Sequence, residues 1–137
     1  VILSSKFCGK MTEIPEELQA IINALPIKRQ MKVVLTKLII LEGCPRHLDA
    51  EVGLVHNQWY LRCRSIVSLL RTNIGRYVLY HELSHIIIFC NSPISYMYDS
   101  TKDYEIEERA WKMSEDFMGR PSRYVKHACL NSFSRKG

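Results

Sequence analysis

No run of apolar residues in this sequence approaches the length of a membrane span. The longest candidate, VVLTKLII, is short and carries Lys37 in its middle. The opening VILSSKFCGKM has too little apolar length for a secretory core, so no signal peptide is expected. There is no C-x-x-C pair. Cys8, Cys44, Cys63, Cys90 and Cys129 are odd in number and scattered, which argues against a disulfide framework and for reduced thiols in a cytoplasmic protein. Internal repeats and low-complexity stretches are also missing. Basic residues gather in IKRQMKVVLTK and in the tail GRPSRYVKHACLNSFSRKG, without the interleaved aromatics that single-strand stacking uses. The net charge of +5 is modest, so these stripes read as solvated surface and direct nucleic-acid binding is not favoured.

What remains is an ordinary globular composition, 47% hydrophobic and 24% charged, in 137 residues. That length suits a single domain, 1–137, with its core over about 12–120 and a loose basic tail at 121–137. MTEIPEELQAIINAL reads as a first helix, with Thr12 as its cap, Pro15 in its first turn and Leu18, Ile22 and Leu25 on its buried stripe. IKRQMKVVLTKLIILEG fits either helix or strand; its length and the spacing of Met31, Val34, Leu35 and Leu38 favour a helix ending at Gly43. EVGLVHNQWYLRCR alternates instead, which predicts two antiparallel strands about an Asn57-Gln58 turn, extended by a third strand through SIVSLL. TNIGRYVLYHELSHIIIFCNSP then turns helical, with Asn73 as cap and Asn91-Ser92-Pro93 as stop. It is apolar nearly all round, so it is expected to be the buried central helix. DYEIEERAWKMSEDFMG is the last well-marked helix. The fold class expected is α+β, helices on a small, mostly antiparallel sheet.

The central helix carries the chemistry. His81 and His85 in HELSH lie one turn apart on one face, so both imidazoles can reach one ion. Glu82 is offset by about a quarter turn, out of ligand position but within reach of a water on that ion. This is the arrangement of a zinc-assisted peptidase, with Glu82 as general base. The bland alternative is a buried helix whose histidines find hydrogen-bond partners, but burying two histidines and a glutamate together is costly without a counterpart.

A catalytic zinc keeps three protein ligands and one open position. Ile88 and Asn91 stand where the extended metzincin pattern needs Gly and His, so that class is excluded. The acidic helix offers Glu105, Glu107 and Glu108. Its apolar stripe, Ile106, Ala110, Met113 and Phe117, faces the core and turns Glu108 to solvent. Glu105 shares a charged flank with Arg109, Lys112 and Asp116, whereas Glu107 shares a half-buried flank with Trp111, Ser114 and Met118. Glu107 is the best-placed third ligand; alternatively all three acids serve the helix dipole. Tyr96, Tyr98, Tyr104 and His127 are candidate oxyanion donors, and the sequence does not choose among them. Cys44 with His47, and His127 with Cys129, are each half a metal site at best.

HELSH, the downstream EIEERAWKMSEDFMG and the preceding R-Y-x-x-x-H-E helix start together resemble the ImmA/IrrE family of small zinc metallopeptidases over roughly residues 45–120. Matching Ala110 to that family's alanine puts Glu107 on its ligand glutamate. Arg109, Trp111 and Met113-Ser114 depart from the pattern, Trp111 standing where the family usually has Asn or Asp. The resemblance implies a compact gluzincin-like fold, a sheet edge bordering the site and a helix-turn-helix repressor as protein substrate. Its rivals are a catalytically silent, peptidase-like zinc domain that binds a regulator, and a basic nucleic-acid-binding domain.

Overall fold

A computed structural model describes residues 9–43, 50–91 and 103–121, excluding the side chains of Asp103 and Tyr104. The order is β1 (Lys10–Glu13), α1 (Glu16–Ala24), α2 (Arg29–Thr36), β2 (Ile39–Glu42), β3 (Ala50–Val55), β4 (Gln58–Cys63), α3 (Ile66–Arg71), α4 (Asn73–Asn91) and α5 (Asp103–Met118). The class is α+β, as expected. The four strands lie in the order β1-β2-β4-β3; β1 is antiparallel to β2 and β3 to β4, but β2 and β4 run parallel. The sheet is therefore mixed.

Several boundaries differ from the sequence reading, each for a local reason. The first helix does not begin at Met11. Pro15 is extended, and a proline disfavours helical backbone at the residue before it, so 10–13 pair with β2 instead and Thr12 caps nothing. The long second helix stops at Thr36, and Ile39-Ile40-Leu41-Glu42 enters the sheet between β1 and β4. A short continuous apolar run has no period to separate a buried strand from a buried helix, and here the β-branched pair goes to the strand. The hairpin turn is His56-Asn57, both with positive φ (49° and 62°), one residue earlier than read. SIVSLL is not a third strand. Ser65 caps it as α3, its Oγ accepting from Ser68 N–H at 3.3 Å, and Glu42 accepts from Ile66 N–H at 2.9 Å. Finally, Thr72 rather than Asn73 caps α4, its Oγ1 accepting from Gly75 N–H at 2.9 Å.

Register explains where the core forms. Ile40, Leu61 and Val52 are neighbours across β2, β4 and β3, so they form one row on one face. They are buried against Leu18 and Ile22 of α1 and Leu79, Leu83 and Ile86 of α4. On another side α4 meets α5: Ile88 packs with Ile106 and Ala110, and Tyr77 with Trp111. Two hydrogen bonds fasten that pairing, Ser114 Oγ to Tyr77 O at 2.7 Å and Tyr77 Oη to Arg120 O at 2.8 Å. Gly119, at φ 79°, ends α5 in the left-handed conformation. Among the described residues no helix is long and apolar enough to cross a membrane.

One glycine is required by contact. A Cβ on Gly75 would collide with the backbone of Leu69, which lies against the first turn of α4. Gly75→Ala is expected to lower unfolding free energy by about 1–3 kcal/mol, read in urea denaturation, since α3 must move away. An unchanged midpoint would show that the α3–α4 contact is not close.

Candidate metal centre

α4 presents His81 and His85 from successive turns, as the i, i+4 spacing requires, and their rings meet edge to face at 4.7 Å. α5 brings Glu107 to them. The Nε2 atoms of His81 and His85 are 3.2 Å apart; His85 Nε2 lies 3.1 Å from Glu107 Oε1, and His81 Nε2 lies 2.8 Å from Glu107 Oε2. The last contact lacks the alignment of a hydrogen bond. Four atoms, the two Nε2 nitrogens and both Glu107 oxygens, thus face one another closely, and the few protons available cannot satisfy every contact. Donors at about 2.0–2.1 Å from a tetrahedral ion stand about 3.3 Å apart, near the observed separations of 3.2, 3.1 and 2.8 Å. Among the described residues, His81, His85 and Glu107 form the group that could hold a metal ion.

The helix phase read from α5 is the observed one. Ile106 and Ala110 are buried, Glu105 and Glu108 are exposed, and Glu107 is partly buried between them. Its flank is more enclosed than half-buried, because Trp111 and Ser114 are only 2% and 0% exposed. Cys44, His47, Tyr96, Tyr98, His127 and Cys129, with the side chain of Tyr104, lie outside the described residues.

Glu82 sits beside the triad without joining it. Its Oε2 is 3.7 Å from His81 Nε2, and its Oε1 accepts from Val52 N–H at 3.0 Å. That backbone contact was invisible in the sequence, although strand parity implies it. The two-residue turn makes Val55 and Gln58 a hydrogen-bonded pair, so Ala50, Val52 and Leu54 turn their main-chain groups away from β4. β3 is a sheet edge among the described residues, and this outward row borders the site.

The electrostatics follow from burial. Burial raises the Glu82 carboxyl above its ordinary range, with His85, His81 and the Val52 N–H opposing and Glu107 reinforcing. Burial alone would raise Glu107 too, but His81 and His85 outweigh it and hold that carboxyl well below the usual range. For His85 burial works downward, yet the Glu107 hydrogen bond and the charges of Glu82 and Glu107 leave the imidazole raised.

Sequence reasoning also underrated Trp111. It stacks on His81 with ring centroids 4.1 Å apart and planes at 25°. The available signal was its place four residues after Glu107, one turn along the same face. Compared with family models, curated proteins and solved structures, the chain matches none.

Two outcomes test the centre. Glu107→Ala should weaken metal uptake by about tenfold or more, whereas exposed Glu108→Ala should leave it unchanged, as read by chelator competition. Because the metal-free His85 imidazole is raised, uptake near neutral pH should release a proton. Affinity should therefore fall as pH drops into the range where His85 is protonated, and calorimetry in buffers of different ionisation enthalpy measures the proton directly.

Proposed function

We propose that the chain is a zinc-dependent endopeptidase acting on a specific protein partner. The observation that carries this reading is the position of Glu82, a partly buried carboxylate 3.7 Å from His81 Nε2 and outside the ligand triad. A purely structural metal site has no use for a further carboxylate there. Two imidazoles and one carboxylate are also the donor set of zinc sites that keep a coordination position open.

When bound, zinc supplies a Lewis acid for the scissile carbonyl and acidifies a water. His81, His85 and Glu107 hold the ion between α4 and α5. Glu82 accepts the proton of the attacking water and returns it to the leaving amine; a carboxyl raised by burial suits both transfers. Val52 N–H fixes one Glu82 oxygen and so sets the direction in which the other faces. The outward row of Ala50 and Leu54 offers an extended peptide main-chain hydrogen bonds next to this carboxylate.

Such binding reads few side chains, so selectivity comes from docking the folded part of the substrate elsewhere. The resemblance of HELSH and EIEERAWKMSEDFMG to the ImmA/IrrE family supports a gluzincin-like fold and a helix-turn-helix repressor as the partner. The same reading places the reaction in the cytoplasm.

Glu82→Gln should retain one zinc per chain and the fold while cleavage falls by about 10²–10⁴-fold, because the amide cannot take the proton. Incubation of the zinc-loaded protein with casein, short peptides and candidate repressors is the direct assay. Slow or no hydrolysis of the first two, with a single cut in one repressor, is the expected result. Fast general cleavage of casein would refute the specific-partner reading. Tight repressor binding with no cleavage would favour the silent zinc domain.

A further inference from the structure

A metal-bound imidazole ordinarily donates its second N–H to a carboxylate, a carbonyl or water, and that bond fixes the ring plane. His81 turns Nε2 toward Glu107 and His85, so as a ligand it carries its proton on Nδ1. Yet His81 Nδ1 is buried without a hydrogen-bond partner among the described residues. The usual orienting bond is missing at one of the two imidazoles.

What His81 has instead is the indole of Trp111, nearly parallel to it at 4.1 Å. We infer that Trp111 is a positioning residue for the metal, its ring face setting the plane in which His81 presents Nε2. This inference rests on the metal reading above and goes beyond it, since nothing in the ligand triad requires an aromatic ring.

Two further observations support the role. Trp111 Nε1 is itself buried and without a partner among the described residues, so no hydrogen bond there accounts for the ring's place. The indole packs with Tyr77 in a small buried cluster against which Val78 and Met118 lie, and it is only 2% exposed. Trp111 also follows Glu107 by one turn on α5, so a single helix carries both a ligand and the platform for another. A stack fixes orientation without polarising the Nδ1–H, which leaves His81 a less electron-rich ligand than one paired with a carboxylate.

The test uses the full chain with cobalt(II) and zinc as probes. Affinity is read by chelator competition and geometry by the visible bands of the cobalt form. Trp111→Phe keeps a flat ring over His81 and should bind within about threefold of the parent, with an unchanged cobalt spectrum. Trp111→Leu should bind about tenfold or more weakly, with displaced cobalt bands. A leucine variant that folds and matches the parent in both readouts overturns the inference. If that variant does not fold, the zinc-loaded parent decides by proton NMR. The carbon-bound ring protons of His81 should lie upfield of those of His85, shifted by the indole current; equal shifts overturn it. A parent that takes up neither ion removes the metal reading and this inference together, whereas a binding parent beside an equally binding leucine variant removes the stack alone.

Discussion

The site depends on how closely α5 lies against α4. The ligand set is split between the two helices, so a small slide or rotation of either would separate Glu107 from the imidazoles. Ala110, fully buried, lets the helix backbones approach, and Ile106 and Ile88 fill the space on one side of it. Ser114 supplies the register. Its hydroxyl donates to Tyr77 O, the carbonyl to which helix geometry assigns the N–H of His81. The bond that locks α5 in place thus falls on the turn that carries the first imidazole. This contact is apolar and hydrogen-bonded in its own right, so an ion would not be its sole source of stability. A bound ion adds stability by mass action, about 4 kcal/mol at a free concentration a thousand times its dissociation constant.

A second constraint ties the site to the sheet. Glu82 is largely enclosed, its side chain 12% exposed, and a carboxylate so placed without partners would be expensive. Val52 supplies a main-chain N–H from the edge strand, an N–H that β4 cannot use because of the strand's parity. One contact therefore satisfies an orphan backbone donor, holds a carboxylate and sets the distance between the sheet edge and the triad. Val52 is also in the central apolar row with Leu61 and Ile40, so its backbone is anchored by core packing. The side chain of Glu82 is thus held from the sheet as well as from the helix that carries it.

These two constraints mark what the sequence could tell. HELSH was legible because its geometry is local: residues four apart on a helix face one way whatever surrounds them. Glu107 was legible because the stripe of Ile106, Ala110, Met113 and Phe117 sets the helix phase, leaving only one of three acids pointing inward. The contact between Glu82 and Val52 spans thirty residues of chain and depends on hairpin parity, which changes with a one-residue error in the turn. The sequence reading made that error at Asn57-Gln58. Misjudged boundaries had similar causes. Pro15 acts on its predecessor, Ser65 caps a helix where a strand was expected, Thr72 caps α4 one residue before the expected Asn73, and Leu38–Leu41 has no period to read. None of these displaced the histidine pair, because the apolar pattern of α4 is long enough to tolerate a shifted cap.

Trp111 shows how a pattern mismatch can carry physical content. Read against the family motif, it is only the wrong residue where Asn or Asp is usual. In the fold, a carboxamide or carboxylate at that position would have to be buried beside Tyr77, Val78 and Met118, an apolar setting that leaves its remaining polar atoms unpaired. An indole suits the same setting, buries a large apolar area and covers the face of His81. The apolar packing between α4 and α5 and the orientation of a ligand are then served by one side chain. With no acceptor on His81 Nδ1 among the described residues, the carboxylates of Glu107 and Glu82 would be the negative groups that balance the charge of an ion held there.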